Sequence, residues 1–387
     1  MSLHFSDEEF ARRRSALLAA MQAQKLEAML LFAQESMYWL TGYDTFGFCF
    51  FQCLVVTADG EMVLLTRSAD LRQAQNTSNI KDIRIWSDRQ DADPTAELQD
   101  ILDELNLLGA MVGVEYDTHG LTAANGRKLD QRMRAFARLG DHSMLVPELR
   151  LIKSQEEITY VRQAATQADQ AFDAALALAA PGTNEADILA AMHQCAFQAD
   201  GDYPANEFII GSGHNALLCR YQSGRRTLDR QDQLTLEWAG VHRHYHAAMM
   251  QTVPIGGATA RHKELHVAAR TALEEIEAAL GASRTTPTDL GDLFAIHARI
   301  LDGAGLARHR LAACGYSLGA RFAPSWMEPH MLYSGNERAV EPGMVLFAHM
   351  IIMDSDTNTA MCLGRTFLTT ENGAEPLSRH GYDLLER

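Results

Sequence analysis

The spacing of apolar residues near the amino terminus predicts that the chain opens with a helix. Ser6 and Glu9 form the Ser-x-x-Glu pattern of a capping box. Apolar residues follow it at helical spacing, namely Phe10, Leu17, Leu18 and Met21. Two apolar runs then predict strands, EAMLLFA and FFQCLVVTADGEMVLLT, and the Asp59-Gly60 pair within the second run predicts a turn.

The rest of this half continues the alternation. A helix is predicted at TAELQDILDELNLL and a strand at MVGVEY. Helices that alternate with strands predict an α/β domain. We expect this domain to span residues 1–150.

A second capping box, Ser154-x-x-Glu157, predicts a long helix of about 25 residues that ends before Pro181-Gly182. After this helix the order of the predicted elements changes, because several strands follow one another. Strands are predicted at EFIIGSG, LTLEWAGV, HAAMMQTVPIG, GMVLFAHMIIM and RTFLTTENG, and two helices near 261–303. Consecutive strands packed by helices predict an α+β domain with an antiparallel sheet, spanning residues 151–387.

Composition agrees with two globular domains. The chain has 387 residues, of which 47% are hydrophobic and 22% charged. No apolar run approaches the roughly 18 residues that cross a bilayer, and the first residues lack a signal-peptide pattern. We therefore expect a cytoplasmic protein without a membrane partner. The formal charge of −16 makes nucleic acid an unsuitable partner.

The six cysteines are scattered without a C-x-x-C pair, and most lie among apolar neighbours. This usage is typical of buried, reduced thiols. We expect neither disulfides nor a structural zinc ion.

Several segments of the second half together resemble the pita-bread family of creatinase, prolidase and aminopeptidase P. In order, they are LRLIKSQEEITYVRQAA, IIGSGHNA, LTLEWAGVHRHYHAAMMQTVPIG, GYSLG, VEPGMVLFAHMIIM and FLTTENGAEPLS. The resemblance implies an α/β amino-terminal domain followed by an α+β pita-bread catalytic domain. It also implies a homodimer in which the amino-terminal domain of one chain contributes to the active site of the other.

The resemblance also implies where metal ligands would lie. Metallopeptidases of this family hold two divalent ions with two Asp, one His and two Glu. The positions of these five ligands fall here on Glu237, Ala248, Tyr316, His349 and Gly364. One carboxylate, one His and one Tyr provide too little negative charge for two dications. We therefore expect no metal and no cofactor.

A further departure is Arg220, which stands where the family's catalytic histidine follows the Gly-x-Asn stretch. The features LTGYD, GDYP, the E-x-A-G…Y-H stretch from Glu237 to His246, and G-Y-x-L-G-x-x-F-x-P-x-W resemble the metal-free, creatinase-like branch that includes ectoine hydrolases. That branch opens a cyclic amidine. The resemblance implies a small-molecule substrate for this chain.

Glu237 is the central candidate. Strand alternation in LTLEWAG places Leu236 and Trp238 on one face and Glu237 on the other. A strand glutamate ordinarily points to water, but the resemblance places this one at the floor of the cleft. There it could attack an amidine carbon, hold a cationic substrate or transfer a proton. Arg220 could bind a substrate carboxylate with its planar guanidinium, or remain a surface charge.

The remaining candidates have structural alternatives. His349 lies in an apolar strand and is either a core histidine or an acid–base group. Tyr316 either packs in the core or donates a hydrogen bond to an intermediate. His246 is a third catalytic candidate, because the resemblance to the ectoine-hydrolase branch includes it.

Three aromatic residues are candidates for substrate binding. Trp326 ends the motif that starts at Gly315. Phe46 and Phe48 flank Gly47 in the amino-terminal domain, where they are either core residues or a cover over a small ligand bound to the partner chain.

Together these features favour a metal-independent hydrolase of a non-peptide C–N bond in a small amidine- or guanidine-like metabolite. One alternative is a metal-dependent Xaa-Pro aminopeptidase or dipeptidase, which fold-level similarity alone suggests. Another is a ligand-binding pseudoenzyme that retains the cleft without its chemistry.

Overall fold

The computed structural model of the chain describes residues 3–220, 225–283 and 285–387. The chain separates into an amino-terminal unit, Met1–Arg150, and a carboxy-terminal unit, Leu151–Arg387. Each unit is built around its own sheet. In the described part of the chain, every helix falls short of the length or the hydropathy that a membrane-spanning segment requires.

The amino-terminal unit is α/β, as predicted. Its helices are α1 (Asp7–Ala23), α2 (Gln34–Thr41), α3 (Leu71–Thr77), α4 (Pro94–Glu104), α5 (Ala123–Met133) and α6 (Leu145–Leu151). Its strands are β1 (Ala28–Leu31), β2 (Cys53–Thr57), β3 (Met62–Arg67), β4 (Asp82–Trp86), β5 (Met111–Val114) and β6 (Arg138–Asp141). They form one mixed sheet in the order β4-β3-β2-β1-β5-β6.

Strand β1 shows why this sheet is buried on both faces. Ala28 and Leu30 belong to one hydrophobic cluster, whereas Met29 and Leu31 belong to another. Because successive side chains of a strand point to opposite faces, the two clusters lie on opposite sides of the sheet. This arrangement explains why the strands of this unit are continuously apolar rather than alternating.

The carboxy-terminal unit is α+β, as predicted. Its helices are α7 (Gln155–Leu178), α8 (Glu185–Gln198), α9 (Ala260–Ala282) and α10 (Leu290–Gly303). Its strands are β7 (Ile209–Ser212), β8 (Asp232–His242), β9 (Tyr245–Ile255), β10 (Ala313–Ser317), β11 (Met331–Tyr333), β12 (Val345–Asp354), β13 (Thr359–Thr370) and β14 (Gly373–Pro376). They form an antiparallel sheet in the order β11-β10-β12-β13-β9-β8-β7, with β14 beside β13.

Helix α7 begins at the predicted capping box. The Glu157 backbone N–H donates to Ser154 Oγ at 3.3 Å, and the Ser154 backbone N–H donates to Glu157 Oε2 at 2.8 Å. Two of the N–H groups that a helix start leaves without partners are thereby satisfied. The helix ends at Leu178, ahead of the predicted stop at Pro181.

Helix α7 packs against one face of β8 and leaves the other face for the site. The indole of Trp238 stacks on Phe172 of α7 with ring centroids 5.0 Å apart, and its N–H donates to the Ala168 carbonyl at 2.9 Å. At Gly240 a Cβ atom would lie 1.9 Å from the Ala164 carbonyl oxygen, so only glycine permits this approach. Because side chains alternate, Glu237 points away from α7.

The cap at the start of α7 predicts a local stability effect. Substituting Ser154 by Ala removes one acceptor of the capping box and should lower the free energy of unfolding by about 1 kcal/mol. Urea unfolding followed by circular dichroism measures the change. Thr159→Ala in the first turns of the same helix is the control, because Thr159 is exposed and bonds only the Gln155 carbonyl. Equal effects of the two variants would contradict the role given to the cap.

Candidate active site

The register of four neighbouring strands places Glu237 in a row of facing residues. Glu237 on β8 is opposite Met250 on β9, Met250 is opposite Gly364 on β13, and Gly364 is opposite His349 on β12. Side chains at directly opposed positions project from the same face of a sheet. Glu237 and His349 therefore face the same side, separated by a methionine and a glycine.

Tyr316 joins this row from the next strand. It lies opposite Phe347, two residues before His349, so it shares the same face of the sheet. The Tyr316 ring is 5.7 Å from the His349 ring, and its hydroxyl oxygen lies 3.5 Å from Glu237 Oε1. Three of the candidates chosen from the sequence are thus brought together.

These side chains surround a small inner cavity of about 130 Å³. It is comparable with the engineered cavity of about 150 Å³ that binds benzene. The inner cavity therefore has room for a group of about six heavy atoms. Its lining residues are Cys219, Arg220, Glu237, Leu311, Ala313, Tyr316, Met327, Met331, His349 and Ile351.

Burial dominates the electrostatics of Glu237. Its side chain is 7% exposed. Desolvation raises the pKa of its carboxyl to about 7, although the positive charge of Arg220 and the hydrogen bond from Tyr316 act in the opposite direction. A carboxyl with this pKa exchanges a proton near neutral pH, as a general acid or base must.

His349 is a neutral imidazole in this site. Burial lowers its pKa to about 3, and the neighbouring His297 and Arg220 act in the same direction. Its Nδ1 atom is buried without a hydrogen-bond partner among the described residues. A neutral imidazole has one N–H donor and one acceptor nitrogen, so His349 can donate a hydrogen bond without carrying a charge.

Arg220 lies at the junction of two cavities. It lines the inner cavity and also a larger outer cavity of about 560 Å³. The residues around the outer cavity belong mainly to two loops and are Pro204, Ala205, Asn206, Glu207, Ile209, Ala323, Pro324 and Ser325, besides Arg220 itself. The exposed side chain of Arg220 places a positive charge where a ligand would pass from one cavity to the other.

His246 and Trp326 lie behind the cavity walls. His246 is fully buried, and its Nε2 accepts a hydrogen bond at 3.0 Å from the backbone N–H of Ala205. Burial lowers the pKa of His246 to about 3, so it stays neutral. Trp326 is 1% exposed, and its indole N–H donates to the Tyr316 hydroxyl at 2.9 Å. Neither residue is among those that line the two cavities; each instead contacts a residue that does, Ala205 in the case of His246 and Tyr316 in the case of Trp326.

Phe46 and Phe48 belong to the amino-terminal unit. Phe46 precedes a short 3-10 turn, Gly47–Cys49, that follows α2, and Phe48 is the middle residue of that turn. Phe46 is 77% exposed and Phe48 is half-buried. The interpretation of Phe46 as a core aromatic is therefore wrong.

The donor atoms of this face do not suit a pair of divalent cations. Of the five positions that resemble the family's ligands, Glu237 alone carries a carboxylate, while Ala248 and Gly364 carry no donor atom. A Cβ atom on Gly364 would lie 2.8 Å from Phe347 Cζ and 3.0 Å from His349 Cβ. The Phe347 ring thus occupies the space that a ligand side chain at position 364 would need, and hard dications require several anionic oxygens.

Elsewhere in the described residues, one group of three possible metal ligands occurs, formed by His309, Asp354 and Asp356. Both carboxylates already form ion pairs with arginine side chains. Asp354 pairs with Arg261 at 2.7 Å, and Asp356 pairs with Arg308. These ion pairs account for the acidic cluster without a metal.

Sequence reasoning missed several residues of the site. Cys219 lines the inner cavity, and its place beside Arg220 in the sequence could have indicated this. His297 of α10 is buried, and its pKa is lowered by burial to about 4. Its influence on His349, like the packing of Phe347 against Gly364, depends on contacts between distant segments. No local pattern indicates such contacts.

Comparisons with known proteins match both units of the chain. A family model for the Creatinase/Prolidase N-terminal domain matches residues 13–152. An uncharacterized hydrolase/peptidase of Sinorhizobium fredii is 28% identical over 395 residues, covering 99% of this chain and 98% of that protein. Ectoine hydrolase of Halomonas elongata is 27% identical over 400 residues, covering 98% of this chain and 97% of that protein.

The fold has close counterparts among solved structures. A recombinant prolidase from Thermococcus sibiricus superposes with a TM-score of 0.86 at 17% identity, covering 98% of this chain and 99% of that one. This likeness confirms the predicted pita-bread fold. A family model described as Metallopeptidase family M24 matches residues 159–371, which is more than half of the chain. The chain therefore belongs to metallopeptidase family M24, within which it combines a pita-bread domain with a creatinase/prolidase-type amino-terminal domain.

Proposed function

We propose that this chain is a metal-independent hydrolase of a non-peptide C–N bond in a small amidine- or guanidine-like metabolite. One observation carries the proposal: a single buried carboxyl, Glu237, faces a small cavity whose other polar groups are donors and a cation. The inner cavity fits a compact head group rather than a peptide.

Glu237 supports the recognition of a cationic head group. An amidinium or guanidinium presents two N–H groups in a plane, which match the two oxygens of a carboxylate. Binding such a cation favours the ionised form of Glu237 and lowers its pKa from about 7. The carboxylate is then available at the electrophilic carbon of the substrate.

Two routes of hydrolysis remain open at that carbon. Either Glu237 takes a proton from a water that attacks the carbon, or its carboxylate oxygen attacks, the nitrogen leaves, and water then adds to the carbon and breaks its bond to the Glu237 oxygen. In both, a C–O bond forms, the C–N bond breaks and the leaving nitrogen gains a proton. Tyr316 and His349 are the neighbouring donors that can hydrogen-bond the polarised intermediate.

Arg220 supports a substrate that also carries an anionic group. Its guanidinium lies where the inner and outer cavities meet. A carboxylate bound there would leave the cationic head group beside Glu237. The proposed substrate is therefore a zwitterion with an amidine-like head and a carboxylate. Among the relatives, ectoine hydrolase has a name that fits a C–N bond of this class.

The alternative is a metal-dependent Xaa-Pro aminopeptidase or dipeptidase. The family name Metallopeptidase family M24 favours it. The donor atoms argue against it, because Glu237 is accompanied by Ala248 and Gly364 where the peptidases of the resemblance have carboxylates. We therefore retain the non-peptide reaction as the proposal.

The proposal includes a homodimer in which Phe46 and Phe48 of one chain approach the substrate of the other. The exposure of two aromatic rings in one short segment supports it, because Phe46 is 77% exposed and Phe50 is 48% exposed, and neighbouring apolar rings of this kind form a surface that a partner chain can cover. Analytical ultracentrifugation tests the assembly, and a monomer at micromolar concentration would contradict it.

Substituting Glu237 by Gln should abolish turnover. The amide keeps the shape of the side chain but cannot accept a proton or attack a carbon, so we expect at least about a hundredfold loss of rate. Candidate amidines, creatine, ectoines and proline dipeptides are first screened with the unmodified protein by mass spectrometry of products. Glu274→Gln on the exposed face of α9 is the control. Retained turnover in Glu237→Gln would overturn the catalytic role.

The same variant should change how stability depends on pH. A carboxyl whose pKa rises from 4.5 to about 7 on folding stabilises the fold fully below pH 4.5 and loses that contribution as pH rises through 7. The free energy of unfolding of Glu237→Gln should therefore exceed that of the unmodified protein by up to about 3 kcal/mol at about pH 8. At about pH 4 the two values should match. Urea unfolding at both pH values measures this. Glu115, whose pKa burial also raises to about 7, is common to both proteins and cancels in the difference. An equal difference at both pH values would contradict the burial of an ionisable Glu237.

A further inference from the structure

Tyr316 and Trp326 form a buried hydrogen-bonded pair that ends at Glu237. The Trp326 indole N–H donates to the Tyr316 hydroxyl at 2.9 Å, and the same hydroxyl lies 3.5 Å from Glu237 Oε1. The Trp326 and Tyr316 side chains are at most 3% exposed. Water therefore has little opportunity to replace either partner.

The chemistry of the two groups fixes the direction of the proton. An indole N–H can only donate, so the Tyr316 oxygen must accept from Trp326. The hydroxyl has one proton of its own, and that proton is left to point toward Glu237. A distance of 3.5 Å is long for an O–H···O hydrogen bond. Trp326 therefore determines the orientation and polarisation of the Tyr316 hydroxyl. It does not create a tight hydrogen bond between Tyr316 and Glu237.

Trp326 is itself held from two sides. Its backbone N–H donates to Asn206 Oδ1 at 3.2 Å, and its ring lies 6.2 Å from the ring of His246. His246 in turn accepts from the backbone N–H of Ala205. Because Ala205 and Asn206 line the outer cavity, Trp326 connects the wall of that cavity to the hydroxyl in the inner one.

We propose that Trp326 is a positioning residue, which directs the Tyr316 hydroxyl proton at Glu237 and thereby sets the protonation of that carboxyl. The catalytic consequence of this role rests on the proposed function, whereas the effect on the Glu237 carboxyl does not. The hydrogen bond from Tyr316 favours the ionised carboxylate and lowers the pKa of Glu237. Losing the indole donor frees the hydroxyl to rotate and weakens its polarisation, so the pKa of Glu237 should rise.

The other groups that act on Glu237 lie on separate elements and are unchanged by substitutions at Trp326. Arg220 lies in the loop that follows β7, and the positive charge of its guanidinium lowers the pKa of Glu237. Two thiols also interact with the charge of Glu237, that of Cys219 beside Arg220 and that of Cys362 on β13. Burial raises the pKa of both thiols. His349 of β12 stays neutral.

Infrared titration of the protonated carboxyl band tests the proposal without a substrate. The band of Glu237 is assigned by its loss in Glu237→Gln, and its midpoint is followed with pH in Trp326→Phe, Tyr316→Phe and the double variant. We expect Tyr316→Phe to raise the midpoint by roughly half a unit to one unit, the size of one lost hydrogen bond. Trp326→Phe should raise it by less, and the double variant should match Tyr316→Phe alone.

The matched control is Trp238→Phe. Trp238 is also fully buried, is the neighbour of Glu237 in β8, and its indole also donates one hydrogen bond of 2.9 Å. Its side chain faces α7, so its substitution should destabilise the fold without moving the midpoint. A midpoint in Trp326→Phe equal to that of Trp238→Phe, or additive shifts in the double variant, would overturn the proposal. Because no turnover is measured, either result is independent of whether Glu237 catalyses hydrolysis.

Discussion

The burial of one carboxyl on the open face of the carboxy-terminal sheet determines the properties of the site. Glu237 shares its row with a methionine, a glycine and a neutral histidine, so nothing directly opposite it carries a full charge. Its ionised form is stabilised by Arg220 and by the Tyr316 hydroxyl, which do not fully offset desolvation. The result is a carboxyl that changes charge near neutral pH and can respond to the charge of a ligand.

Packing on both faces of the carboxy-terminal sheet holds this carboxyl in place. On one side, Trp238 and Gly240 fix β8 against α7, so the strand cannot rotate to expose Glu237. On the other side, Phe347 fills the space beside Gly364. The same packing that gives the site its rigidity also removes the room in which a further ligand side chain could stand. Stability is lost locally to maintain an ionisable group inside a sheet, as is common at functional sites.

Much of this arrangement could be predicted from the sequence. Alternation in LTLEWAG separates Glu237 from Trp238, and the capping box at Ser154 gives the start of the helix that covers Trp238. The family resemblance supplied the remaining step, since alternation alone cannot distinguish a face toward solvent from a face toward a cleft. Tyr316 and His349 were found in the same way.

The supporting residues could not be predicted, because their roles depend on register and loop contacts. His246 lies on the same face as Glu237, yet its Nε2 is occupied by a backbone N–H of a loop some forty residues earlier in the chain. Trp326 was recognised as part of a motif, whereas its donation to Tyr316 depends on how that motif folds back on β10. Neither contact can be predicted from the pattern of residues along the chain.

The central claim is that this face provides too few anionic oxygens for the two divalent ions expected in a family M24 peptidase. Elemental analysis by inductively coupled plasma mass spectrometry, on protein first incubated with excess manganese, cobalt or zinc and then desalted, tests it most directly. We predict far less than one ion per chain, and no change in ion content when Glu237 is replaced by Gln. Two ions per chain that disappear in Glu237→Gln would contradict the account.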